Sequence, residues 1–248
     1  MELVLGTALL RPYVFGFLLA FLAAARADLG WARTLVFTAS VWPVAWVAEW
    51  SSTRVGIPFG LYHYTEETRG QELYIANVPF FDSLSFVFLA YAALCVARLA
   101  LGRGRAARSR SLLALTAGTL MMLLDVVIDP LAVRGDRWFL GRVFYYPDGG
   151  VYFGVPLSNF AGWVIVGAVG VGLYLALTGS PQEGRPWPGL ALYYAVLAFN
   201  LIVTVWIGEW VLAAVGLALH TVVGLVLAAS GRREASALGL TGKELQGA

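Results

Sequence analysis

Charge is scarce in this sequence. Only 13% of its 248 residues are Asp, Glu, Lys or Arg, against about a quarter in ordinary soluble domains. Reactive side chains are scarcer still. The single lysine, Lys243, lies in the C-terminal tail, which excludes a retinal protein, whose Schiff base needs a lysine inside a span. The two histidines, His63 and His220, are too few for the histidine clusters that hold two irons in oxygen-dependent membrane desaturases and hydroxylases. One cysteine, Cys95, excludes a disulfide framework and a thiolate metal cluster. The net charge of +2 carries no signal for nucleic acid. No internal repeat, heptad or low-complexity segment is visible.

What is abundant is apolar surface: 59% of residues are hydrophobic and the mean hydropathy is +0.74. The chain is therefore read as an integral, multi-pass membrane protein, an all-α bundle of about seven transmembrane helices. Apolar stretches long enough to cross a hydrocarbon core fall near 9–26, 34–50, 78–101, 111–129, 158–178, 189–207 and 209–229. The last two are separated only by "IGEW", which makes either a tight hairpin or one interrupted span. The first span lacks the basic leader and cleavage site of a signal peptide. Residues 1–230 read as one transmembrane domain and 231–248 as a short cytoplasmic tail.

Charge placement orients the spans. The connection "RLALGRGRAARSR" carries Arg98, Arg103, Arg105, Arg108 and Arg110 without an acid, which puts it in the cytoplasm. By alternation Arg26, Arg33, Arg185, Arg232, Arg233 and Lys243 join it, so eleven of the seventeen basic residues share one side. The long connections 51–77 and 130–157 fall on the other, with Glu49, Asp82, Asp125, Asp129 and Glu209.

The carboxylates Asp125 and Asp129 close the fourth span. At i and i+4 they project from one helical face with Cβ atoms roughly 6 Å apart. Two like charges that close in a low-dielectric site do not both ionise readily, so the pair is expected to hold a proton. A neutral acid beside a carboxylate is equipment for acid–base chemistry. The plainer alternative has Asp129 capping backbone before Pro130 and Asp125 pairing with Arg134 or Arg137. Around the pair stand Trp138, Phe139, Phe144, Tyr145, Tyr146, Tyr152, Phe153 and Phe160, and an earlier patch follows Glu49 with Tyr62, His63, Tyr64 and Tyr74. An interfacial aromatic belt accounts for many of these rings. Acids and Gly-Pro punctuation among them point instead to chemistry that makes a carbocation, because ring faces stabilise cations.

Other features have plainer readings. His220 is read as a satisfied bundle-interior residue, Glu209 as interfacial, Asp82 as a helix-start charge and Glu66, Glu67 and Glu72 as solvated. The glycines of "GWVIVGAVGVG" suit close helix packing. Two rivals stay open. A prenyltransferase would use "DVVID" to bind magnesium and a diphosphate, although no second such motif exists. A proton-coupled transporter or assembly factor would use buried acids to carry protons or fix helix contacts.

The segments "EWSSTRVGIPFGLYHY", "NVPF", "DVVIDPLA" and "YFGVPLSNFAGW" resemble the CruF-like carotenoid 1,2-hydratases, grouped with the bisanhydrobacterioruberin hydratases. The resemblance runs from about Glu49 to Trp163 and rests most specifically on a D-x-x-x-D-P helix end followed by a G-V-P-x-x-N-x-x-G-W helix start. The chain departs from the family's pattern at Asp82 and at Leu140. The resemblance implies addition of water across the terminal C1–C2 double bond of an acyclic carotenoid end group, giving a tertiary alcohol with no cofactor and no metal. The partners implied are that carotenoid, water and the bilayer of a prokaryotic inner membrane. Fitted to this reaction, Asp125, Asp129 and Glu49 are the candidate catalytic residues. Tyr62, His63, Tyr64, Trp138, Tyr152, Phe153, Asn159 and Trp163 are the candidate substrate-binding residues. Which carotenoid, which carboxylate gives the proton, and the oligomeric state stay open.

Overall fold

The computed structural model describes residues 2–179 and 184–237. Eight helices form it: α1 (Glu2–Leu10), α2 (Pro12–Leu29), α3 (Trp31–Val55), α4 (Phe80–Arg108, bent at Gly102), α5 (Arg110–Ala132), α6 (Leu157–Thr178), α7 (Trp187–Trp206) and α8 (Trp210–Ala237). Six of them, α2 and α4 to α8, are long and apolar enough to cross a membrane. The seventh expected span is α3, whose 25 residues are more polar, with Thr34, Ser40, Glu49, Ser52 and Thr53 all buried. It still traverses the bundle: Arg33, near its start, donates to the carbonyl of Thr178 at the end of α6, and its far end leads into the loop that covers the start of α6.

Two boundaries differ from the sequence reading. The first span begins at Pro12, because Arg11 and Pro12 break the apolar run into α1 and α2; proline at the first helical position starts a helix rather than continuing one. The "IGEW" segment is a tight turn, with Gly208 at φ 81° between α7 and α8. Of the expected tail, the first part continues α8 to Ala237, and residues 238–248 lie outside the described residues.

Helix α4 is the axis of the bundle. Every residue from Phe86 to Arg98 is buried, and it packs against α2, α3, α5, α7 and α8. A helix that is apolar all round belongs at such a centre. The α5–α6 contact is tighter than side chains would allow at Gly118, where an added Cβ would stand 2.4 Å from the Val164 carbonyl oxygen. Small residues there let the two backbones meet.

The two long connections meet at one end of the bundle. Strand β1 (His63–Tyr64) pairs antiparallel with β4 (Phe144–Tyr145), placing His63 opposite Tyr145 and Tyr64 opposite Phe144. A second short hairpin joins β2 (Tyr74–Ile75) to β3 (Val78–Pro79). Helix α1 is tied to this layer by Leu73 N–H donating to Thr7 Oγ1 at 3.1 Å. The loop layer thus closes over the ends of α3, α4 and α5 that carry the acids and over the start of α6.

Candidate active site

Under the loop layer lies a cavity of about 140 Å³. Helix α3 contributes Glu49, α4 contributes Asp82 and Phe86, α5 contributes Asp129, and α6 contributes Asn159 and Trp163. The loops add Phe59, Tyr62, Tyr64, Trp138, Phe144 and Tyr146, while Arg11, Tyr13 and Phe17 close it from the α1–α2 side and Asn200 from α7.

Its centre is two facing i,i+4 pairs. Asp125 and Asp129 lie one turn apart on α5; Asn159 and Trp163 lie one turn apart on α6. The Asn159 side-chain amide donates to Asp125 Oδ2 at 2.7 Å and to Asp129 Oδ2 at 2.8 Å, and Trp163 Nε1 donates to Asp129 Oδ2 at 3.1 Å. Asn159 is thereby the bridge that fixes both aspartates. The register holds because α6 comes close to the loop at Gly162, where an added Cβ would stand 2.5 Å from the Phe59 ring. Trp163 is locked from the other side by Phe86, stacked at 4.3 Å and 12°. Asp125 sits behind the wall, fully buried, while Asp129 reaches the cavity. The alternative pairing with arginine does not occur, since Arg134 and Arg137 both engage Glu209, the former at 3.0 Å.

Glu49 is held by a tyrosine relay. Tyr64 Oη donates to Glu49 Oε1 at 3.2 Å, and Tyr62 Oη stands 3.4 Å from Tyr64 Oη. Burial, then the charge of Glu49, pushes both phenols well above their ordinary pKa. Burial and the nearby Asp129 and Asp125 raise Tyr146 likewise. All three therefore stay protonated at neutral pH and serve as donors. Glu49 Oε2 and Asp125 Oδ1 are buried without a hydrogen-bond partner among the described residues.

Seven of the eleven candidate residues face the cavity: Glu49, Tyr62, Tyr64, Asp129, Trp138, Asn159 and Trp163. Asp125 joins them through Asn159. Three stand apart. Around β1 successive side chains alternate in direction, so Tyr62 and Tyr64 turn inward and His63 packs against Tyr145, ring centroids 5.9 Å apart. Tyr152 packs edge-on to Phe153 and Phe160, and the Phe153 carbonyl accepts from Arg134 at 2.6 Å.

The sequence reading missed two wall residues, Asp82 and Tyr146, and one buried acid behind the wall, Glu72. Asp82 does stand in the first turn of α4, but it also faces the cavity, and Arg11 Nη1 lies 3.9 Å away. Glu72, expected in solvent, is buried and holds Arg11 at 2.9 Å; α1 and the loop fold over it. Tyr146 passed as one ring of a belt. An acid on the same face as the other acids was the signal available for Asp82.

The fold and site define a polytopic membrane protein with a carboxylate-bearing, aromatic-walled cavity at one end of its bundle. The chain belongs to the carotenoid biosynthesis protein family, whose pattern matches residues 3–223. It is also 34% identical over 121 residues to the bisanhydrobacterioruberin hydratase of Haloarcula japonica, which covers 49% of this chain and 38% of that protein. The chain thus spans well under half of that relative's length in the match. No solved structure matches the chain.

Proposed function

We propose that the protein hydrates the acyclic end group of a carotenoid at its C1–C2 double bond. The observation that carries this reading is the Asn159 bridge between Asp125 and Asp129 on an aromatic-walled cavity, in a chain of a carotenoid biosynthesis family. The relative's name as a hydratase supports the same reaction class.

An alkene is a very weak base, so protonating it needs a positioned acid. The Asp125–Asp129 pair, or Glu49, gives a proton to C2, and C1 becomes a tertiary cation. Rings of Tyr62, Tyr64, Phe86, Trp138 and Tyr146 surround that charge and stabilise it through their faces. Water adds its oxygen to C1 and loses a proton to a carboxylate, which leaves the tertiary alcohol and returns the proton lent to C2. No electron acceptor is consumed. A long polyene partitions into the bilayer, here taken to be a prokaryotic inner membrane, and a site at the end of the bundle meets both the alkene and water.

The test is pigment analysis by chromatography and mass spectrometry in a lycopene-producing host. The wild type is expected to yield a pigment heavier by one water, and Asp125→Asn and Asp129→Asn to lose it while still accumulating in the membrane. Unchanged pigments with abundant wild-type protein would favour a transporter or assembly role.

A further inference from the structure

The cavity wall carries a second polar station, built on elements other than the aspartate pair. Arg11 immediately precedes α2. Its Nε and Nη2 donate to Glu72 Oε2 and Oε1 at 3.2 and 2.9 Å. The side chains of this pair are 3% and 0% exposed. Such a fork-on-fork contact fixes the plane of the guanidinium. The remaining nitrogen, Nη1, lies 3.9 Å from Asp82 Oδ1. That distance is too long for a hydrogen bond and suits one bridging water. Asp82 itself keeps 23% of its side chain exposed, and both residues line the cavity.

A donor on one side and an acceptor on the other is what a nucleophilic water requires. The N–H occupies one lone pair of the water oxygen, the carboxylate accepts one of its protons, and the second lone pair is left to attack. We propose that Arg11 and Asp82 hold the water that captures the cation, with Asp82 as the group that takes its proton. This rests on the hydratase reading above. It splits the reaction between two stations: a proton passes from the aspartate pair to C2, the water oxygen bonds to C1, and the released proton goes to Asp82. Solvent in the cavity then returns that proton to the aspartate pair. Glu72 acts as a positioning residue, through Arg11.

The two stations predict separable failures. A cation formed without a held water is left to lose a proton from a neighbouring carbon, which restores an alkene, or to close a ring onto the substrate's own next double bond. In heavy water that alkene carries deuterium. The experiment therefore incubates membranes containing the full chain with lycopene in D₂O, and reads the alcohol, the deuterium in recovered lycopene and the amount of protein. Asp82→Asn should lose the alcohol by about 100-fold, the scale of a missing general base, while deuterium still enters the recovered alkene. Asp82→Glu should restore part of the alcohol, and Asp129→Asn should lose alcohol and deuterium together. Asp82→Ser, a smaller polar replacement, is read the same way should Asp82→Asn fail to accumulate. Undiminished alcohol in Asp82→Asn would overturn the assignment. So would joint loss of alcohol and deuterium in an Asp82 variant that accumulates normally. A wild type giving neither alcohol nor deuterated lycopene would overturn the hydratase reading, and this one with it.

Discussion

The two ends of the bundle handle buried charge differently. At the end away from the long loops, Asp28 on α2 meets Arg98 on α4 at 2.6 Å, with side chains 0% and 8% exposed. Tyr91 Oη and Cys95 Sγ approach the same carboxylate oxygen at 3.4 and 3.7 Å. One acid and one base are matched. At the loop end Arg11, the one cation on the cavity wall among the described residues, is engaged by Glu72, while Glu49, Asp82 and Asp129 face the cavity with Asp125 behind them. Matched buried charges serve architecture, because removing either partner strands the other. Unmatched carboxylates within a membrane bundle are costly and mark a working site.

This contrast is broken most severely at Asp129. Asp129→Asn keeps the shape of the side chain, so the protein should accumulate normally while product falls by about 100-fold or more, the scale of a lost acid–base group. Comparable loss of protein and product would make Asp129 an architectural residue like Asp28. The opposite end should show the reverse pattern. Arg98→Ala leaves Asp28 buried without its cation, at a cost of about 3–5 kcal/mol, and thermal unfolding in detergent should reveal it. Replacing both, as Asp28→Leu with Arg98→Leu, should recover most of the loss, since a well-packed apolar pair often substitutes for a buried ion pair. Activity per folded molecule should change little in either variant.

How much of this was legible in the sequence follows from the range of each contact. The Asp125/Asp129 pair was legible because helical spacing alone puts both on one face, whereas Asn159 and Trp163 were singled out only through the resemblance, and their facing the aspartates was not legible. The number of traversing helices was legible from apolar run length, with α3 found in spite of its polar residues. Pairings across the fold were not. Arg11 and Glu72 are 61 residues apart, and Asp28 and Arg98 are 70 apart, so nothing local distinguishes them from solvated charges. Glu72 sits among threonines, acids and glycine, which reads as an exposed loop until α1 folds over it. His63 shows a finer failure. Strand alternation sends Tyr62 and Tyr64 inward and His63 outward, but a strand of two residues is too short for a periodicity signal.

A smaller effect tests whether Glu49 belongs with the unmatched acids. Tyr64→Phe removes the hydrogen bond to Glu49 Oε1 and leaves a buried carboxyl group whose other oxygen already has no partner. Such an orphaned group costs about 1–3 kcal/mol. If Glu49 works in the reaction, product should fall by about tenfold at near-normal accumulation. If it is architectural, the loss should appear as lowered thermal stability with activity per molecule unchanged.

The smallest effect belongs to Glu209, which is charged, lies at the loop end and is nevertheless matched. Hydrogen bonds and charge from Arg137 and Arg134 hold its carboxyl below the ordinary glutamate value of 4.5, outweighing the upward push of burial. A depressed folded-state value means the ion pair contributes stability above the unfolded value and loses it as pH falls through the folded one. Glu209→Gln should therefore lower stability near pH 7 by less than about 1 kcal/mol, as expected for a partly exposed pair, which reads as a small fall in melting temperature. The difference from wild type should shrink below about pH 4.5 and vanish once the wild-type carboxyl is protonated. Because Arg134 also donates to the carbonyls of Pro130 and Phe153, the same substitution probes the loop over the aspartate pair. A change in product without a change in melting temperature would move Glu209 from the matched charges to the working ones.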